Sequence, residues 1–209
     1  MKSDADPNLP LFAPNPDCTP STGLPGLDAV LQGLYPGDNL VWRVDSIDHY
    51  MIFARAALKH AVDCGISPVY FRFASHASIA EGVPQTIVHE VQPTLGFEHF
   101  ITQIHQFIKQ HGRGGLYIFD SLSELSNSIY SDRMIGNFFS LTCPLLLDLN
   151  AIAYFVLYRY FHSYHATTPI ITTTQILLDV YNHEGTYFLQ PIKVTDRVSP
   201  TMFMLHRWE

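Results

Sequence analysis

Four short apolar runs constrain this chain more than any other feature: "NLVWRV" (39–44), "VYFRF" (69–73), "GLYIFD" (115–120) and "IAYFVLY" (152–158). The third is apolar almost throughout, as a strand buried on both faces must be. Between the runs lie segments with helical spacing. Residues 46–63 place Ile52, Phe53, Ala56, Ala57 and Ala61 on one side. Residues 96–112 carry the stripe Phe97, Phe100, Ile101, Ile104, Phe107 and Ile108, with Gly112 as the stop. A further helical region covers 131–149, a short one lies within 21–38, and "TIVHEV" (86–91) reads as another strand. From 170 onward the pattern shows strands alone: a hairpin turning at "NHEG", then "TMFMLHRW" closing the sheet. Helices between apolar strands imply an α/β fold with a mostly parallel central sheet, helices on both faces and C-terminal antiparallel strands.

The domain organisation expected is a Pro-rich N-terminal arm over 1–20 (Pro7, Pro10, Pro14, Pro16, Pro20) and one domain over 21–209. A formal net charge of −7 argues against a nucleic-acid partner, because phosphate backbones are bound through Lys and Arg. The most apolar region, 141–158, is interrupted by Pro144, Asp148 and Asn150, so no membrane helix is expected. Cys18, Cys64 and Cys143 are odd in number and scattered, which suits a cytoplasmic location better than a disulfide framework.

Several segments together resemble a known family. "STGLPGLDAVLQGLYPGD" (21–38) resembles the segment that precedes the nucleotide-binding strand in KaiC- and RadA-type members of the RecA superfamily. "GGLYIFDSLSEL" (114–125) resembles their Walker B strand, and "TQILLDVYNHEGTYFLQPIKVTDRVSPTMFMLH" resembles their C-terminal hairpin. The resemblance covers about residues 20–206 in the same order and implies a RecA-like P-loop NTPase fold. A narrower resemblance rests on "GDNLVWRVDSIDHY", "YFRFASH", "YSDRMIGNFFSLTCPLL" and "SPTM". It is to domains at the head of phosphoenolpyruvate-synthase-like or pyruvate-binding kinase proteins.

In parallel sheets of this kind ligands bind beyond the carboxyl ends of the strands, so the informative residues stand after positions 44, 73, 120 and 158. At the first of these a P-loop would need glycines, a lysine and a Ser or Thr for Mg²⁺. Val44 to Met51 has none of the glycine, lysine or threonine; it offers Asp45, Ser46 and Asp48. Asp45 or Ser46 suits a helix N-cap, and Asp45-x-x-Asp48 has the spacing of a capping box. A carboxylate beside a phosphate would repel it by a few kcal/mol, roughly 3 at 5 Å and a surface-like dielectric. ATP binding by the usual P-loop route is therefore disfavoured, and any other cofactor stays unknown.

After the second strand, relatives carry a catalytic glutamate that activates water. This chain has Ala74, Ser75 and then His76. Asp120 matches the Walker B aspartate, whose family role is to order Mg²⁺; with no P-loop its expected use is to cap a helix starting at Ser121. The degenerate nucleotide-site positions are thus Asp45, Ser46, Asp48, His76 and Asp120, with catalytic residues unknown and no metal site assigned. His162 and His165 are three apart and could share a helix face, but no Cys or acid beside them completes a ligand set. Lys193 and Arg197 match basic residues that relatives offer to a neighbouring subunit's nucleotide, though a solvated hairpin also accounts for them. The low charge of 131–149 fits either core or an interface.

The function expected is a non-hydrolysing RecA/KaiC-like domain with a binding or regulatory role, through self-association or a protein partner. The alternatives are a metal- or small-ligand-binding enzyme using the same cleft and a structural ring-forming module. Whether the chain is an enzyme is left open.

Overall fold

The computed structural model describes residues 18–127 and 130–208. The arm expected over 1–20 therefore lies outside the described residues up to position 17. Eight strands form one sheet in the order β3-β2-β4-β5-β1-β6-β7-β8. They are β1 Asn39–Val44, β2 Val69–Arg72, β3 Ile87–Glu90, β4 Leu116–Ser121, β5 Ile152–Tyr158, β6 Ile176–His183, β7 Thr186–Val194 and β8 His206–Trp208. The strands from β3 to β6 pair in parallel, and β7 and β8 continue the sheet antiparallel. The helices are α1 Pro25–Leu31, α2 Ile47–Asp63, α3 Phe97–His111, α4 Asp132–Asp148 and α5 Tyr164–Thr173. This is the α/β architecture the strand and helix alternation implies.

Each face of the sheet has its own core. On one face α1 and α2 cover Trp42, Tyr154, Ile118 and Leu178. Trp42 stacks on Phe53 of α2 with ring centroids 5.1 Å apart. On the other face α3, α4 and α5 cover Phe71, Phe119 and Phe155, which stack across three neighbouring strands at 4.9 and 4.4 Å. Each fully buried side chain of this size contributes about 1.5–3 kcal/mol. β1 lies at the centre, with α2 leaving it on one face and α5 arriving at β6 on the other. The carboxyl ends of β1, β2, β4 and β5 therefore share one edge.

The structure departs from the sequence expectations at several points. Residues 164–173, in a region expected to hold strands from 170, form α5 despite an internal Pro169. Its Thr and Ile residues favour strands by propensity, but packing against α4 decides. Gly136 of α4 permits that approach: a Cβ there would stand 3.2 Å from the His165 carbonyl oxygen. Helix α2 buries Tyr50, Met51, Phe53, Ala54, Ala57, Leu58 and Ala61, whereas Ile52 is exposed. Helix α4 runs through Pro144 and is chiefly core, with Leu141 and Leu147 turned outward. "TMFMLHRW" supplies a strand only at 206–208. The hairpin turns at Glu184 and Gly185, both with positive φ (50° and 82°), the signature of a type I′ turn. Cys18 and Cys64 are not scattered in space: they are joined as a disulfide, with Cα atoms 5.7 Å apart. Among the described residues no helix is long and apolar enough to cross a membrane.

Candidate functional site

The shared edge begins with the β1–α2 connection. β1 ends at Val44 and α2 begins at Ile47, so the connection is Asp45 and Ser46 alone. A P-loop needs several residues here to wrap its N–H groups around phosphate. Ser46 is the N-cap: its backbone is extended and its hydroxyl accepts the Asp48 N–H at 3.3 Å. The capping box expected from Asp45 and Asp48 does not form, because Ser46, not Asp45, holds the N-cap position. Asp48 is exposed on the first turn of α2, where its charge faces the positive helix end.

Asp45 turns the other way. It pairs in bidentate fashion with Arg159, the first residue after β5. The Arg159 side chain is almost wholly buried, and its guanidinium lies 4.1 Å above the Tyr181 ring. Tyr181 donates its O–H to Asp179 at 3.2 Å. Asp179 in turn accepts Nε and Nη2 of Arg43 at 2.5 and 2.7 Å across the β1–β6 pair. An internal chain of charges thus occupies the end of β1. The cavity left there is about 110 Å³, lined by residues that include Arg43, Tyr158, Arg159 and His162. Small-molecule sites usually need roughly 300 Å³ or more.

Asp120 does not cap a helix as expected. It stands inside β4, fully buried, and faces the turn after β2. Its carboxylate accepts the Phe73 and Ala74 N–H groups at 2.7 and 2.8 Å and the Tyr70 hydroxyl. His76 Nε2 lies 3.1 Å from Oδ1, the oxygen that also accepts the Tyr70 hydroxyl, an ion-pair contact short of good hydrogen-bond alignment. Burial lowers the His76 pKa, but bonding to Asp120 and to the Ala77 carbonyl outweighs it, so the pKa is raised. The cause is visible in the ring: Nδ1 lies 2.8 Å from the Ala77 oxygen and Nε2 faces a carboxylate, so only imidazolium offers a proton to both. Burial, with Asp120 next, pushes the Tyr70 phenol up, which keeps it a donor.

A third cluster was not legible as a unit. Ser123 Oγ lies 2.8 Å from His162 Nε2, and His162 Nδ1 lies 2.8 Å from Asp132 Oδ1. Asp132 also accepts the Ser163 N–H at 2.7 Å. Burial works against the Asp132 carboxylate, but the Ser163 and His162 bonds outweigh it and hold its pKa low. The order Ser–His–Asp is that of a hydrolase nucleophile relay. Here Ser123 is fully buried and its Oγ already accepts the Tyr158 N–H at 2.8 Å. The cluster acts as a latch that ties the segment after β4, the N-terminus of α4 and the loop after β5.

The structure brings His76 and Asp120 together and leaves Asp45, Ser46 and Asp48 on the β1–α2 turn with other partners. His162 joins the latch, while His165 is exposed on α5. The hairpin cations do not form an exposed pair. Arg197 is buried; its Nη2 donates to both Asp38 carboxylate oxygens at 2.8 Å and its Nη1 to the Gly33 carbonyl. Lys193 donates to the Ile171 and Thr172 carbonyls at the end of α5. Sequence reasoning missed Tyr70, Arg159, Ser123 and Asp132. Arg159 carried a signal, since it follows β5 at the same edge as Asp45.

No protein-family model matches the chain, and no curated protein matches it. Among solved structures it is similar to a KaiC-like protein from the hyperthermophilic archaeon Pyrococcus horikoshii OT3, at a TM-score of 0.66 and 16% identity. The match covers 90% of this chain and 93% of that one. At this identity the likeness establishes the fold: the chain shares the α/β architecture of that KaiC-like protein.

Proposed function

We propose that this chain is a non-hydrolysing RecA/KaiC-like domain that acts by binding or regulation, through a protein partner or copies of itself. The observation that carries the reading is the two-residue β1–α2 turn. Its helix end is capped by Ser46 and its one acid is paired to Arg159, which supports a turn that does not cradle phosphates. The absence of a glutamate after β2 supports the same reading, because Ala74 gives its N–H to Asp120 and has no side chain to activate water. A phosphoenolpyruvate-synthase-like enzyme is the first partner to test, on the strength of the segment resemblances. A ligand-binding enzyme in the same cleft has less support, since Asp120 is saturated with internal donors and the cavity beside Arg43 is small.

Phosphate release from Mg·ATP tests the reading, with light scattering on the same sample. The expected outcome is no release above the buffer blank, with an oligomer or a complex with the partner in solution. Sustained release that depends on the chain would overturn the non-hydrolysing part. A monomer that binds no copy of itself would remove the ring-forming version.

A further inference from the structure

At the far end of α2 from the Ser46 cap, three side chains converge that the reading above does not use. Cys18, His60 and Cys64 place Sγ, an imidazole nitrogen and Sγ all within 4.8 Å of one another. Cys64 Sγ lies 3.4 Å from His60 Nε2, which also contacts the Thr19 carbonyl at 3.1 Å. His60 and Cys64 are four residues apart, one turn on the same helix face. Cys18 reaches them from the segment before α1 and is joined to Cys64 as a disulfide.

We propose that, once this disulfide is reduced, Cys18, His60 and Cys64 bind one zinc-class divalent cation. A disulfide needs no imidazole, whereas two thiolates and an imidazole form a common zinc donor set. Tetrahedral bonds of about 2.0–2.3 Å give donor separations of about 3.5–3.8 Å. His60 Nε2 and Cys64 Sγ already stand 3.4 Å apart, and the two sulfurs, bonded here, must part to about that separation once reduced. The cluster lies at the C-terminal end of α2, where the helix dipole opposes lone thiolates, so these are poor candidates for a reactive redox pair, which favours helix N-termini. A divalent cation removes that opposition, because its charge cancels the two thiolates. His60 also lines an open groove of about 500 Å³ with Ser21, Gly23, Lys59 and Asp63, which gives a fourth coordination position access to water. The chemistry balances simply. A small-molecule thiol or phosphine supplies two electrons and the disulfide becomes two thiols. Binding the cation then releases both thiol protons. The bound metal would hold the segment at Cys18 against α2, as the disulfide does.

The test uses the full chain, reduced with excess phosphine and freed of metal by a chelator that is then removed. Cobalt(II) is titrated in, followed by zinc. One equivalent of cobalt is expected to give thiolate-to-cobalt charge-transfer absorption and tetrahedral visible bands, which zinc then abolishes. C18S, C64S and H60A are each expected to weaken cobalt binding by more than the roughly tenfold lost with an outer-shell partner. H165A, on exposed α5, leaves it unchanged. Zinc should raise the melting temperature of the reduced protein and not of the oxidised one. A reduced wild-type chain with no charge-transfer band at one equivalent overturns the proposal even if every variant misfolds. So does a band of equal strength and affinity in C18S and C64S, or a pair that stays oxidised in excess phosphine.

Discussion

Asp120 accepts two backbone N–H groups and a phenol in a place without water access. Its replacement by alanine leaves all three donors stranded, and the expected loss is about 3–5 kcal/mol in urea unfolding, the range for breaking a buried charged network. A loss below about 1 kcal/mol would mean the carboxylate is not what holds the β2 turn. His76 gives this cluster its pH dependence. Its folded pKa lies above the ordinary value of 6.5, so its stabilisation is fully present below about pH 6.5 and is lost as pH rises through the folded pKa. The stability difference between wild type and H76Q should therefore be largest in mild acid and fade toward alkaline pH. A difference that grows toward alkaline pH contradicts the imidazolium–Asp120 contact. Asp120 and His76 stood out in the sequence as relics of a nucleotide site. Their mutual contact did not, because it depends on how the turn after β2 folds back over β4.

At the scale of elements, the central strands β1, β2, β4 and β5 were legible because burial on both faces leaves no polar alternation to confuse them. The helices α2 and α3 were legible by their stripes, although Ile52 of the α2 stripe faces outward, and α4 as a helical region of low charge. Helix α5 was not, since its β-branched residues and Pro169 argue locally for a strand and only its packing on α4 argues otherwise. The β1–α2 turn lay between these cases. The missing glycines were plain in "VDSIDHY", but the partner that closes it, Arg159, stands just after β5, more than 100 positions along the chain. The Ser123–His162–Asp132 latch was hidden for the same reason: its members come from three elements. As a latch with a fully buried hydroxyl, it makes a distinct prediction. An alkyl fluorophosphonate should leave Ser123 unmodified in the native protein by mass spectrometry of its peptides. Rapid labelling at Ser123, lost in H162A, would instead mark a nucleophile.

For the whole molecule, the protein's own groups fill the edge of the sheet at the carboxyl ends of β1, β2, β4 and β5. Ser46 caps α2, Arg159 and Asp45 close the turn, and Asp120 is taken up by the β2 end. None of these depends on a bound nucleotide. The apolar residues left outside, among them Phe203, Met204 and Leu205 beyond the hairpin, are available for protein contacts. Calorimetric titration of the full chain with Mg·ATP tests this account most directly. The predicted result is no saturable heat up to millimolar nucleotide. Saturable binding at micromolar concentration, abolished by substitution of Asp120 or Ser46, would contradict it.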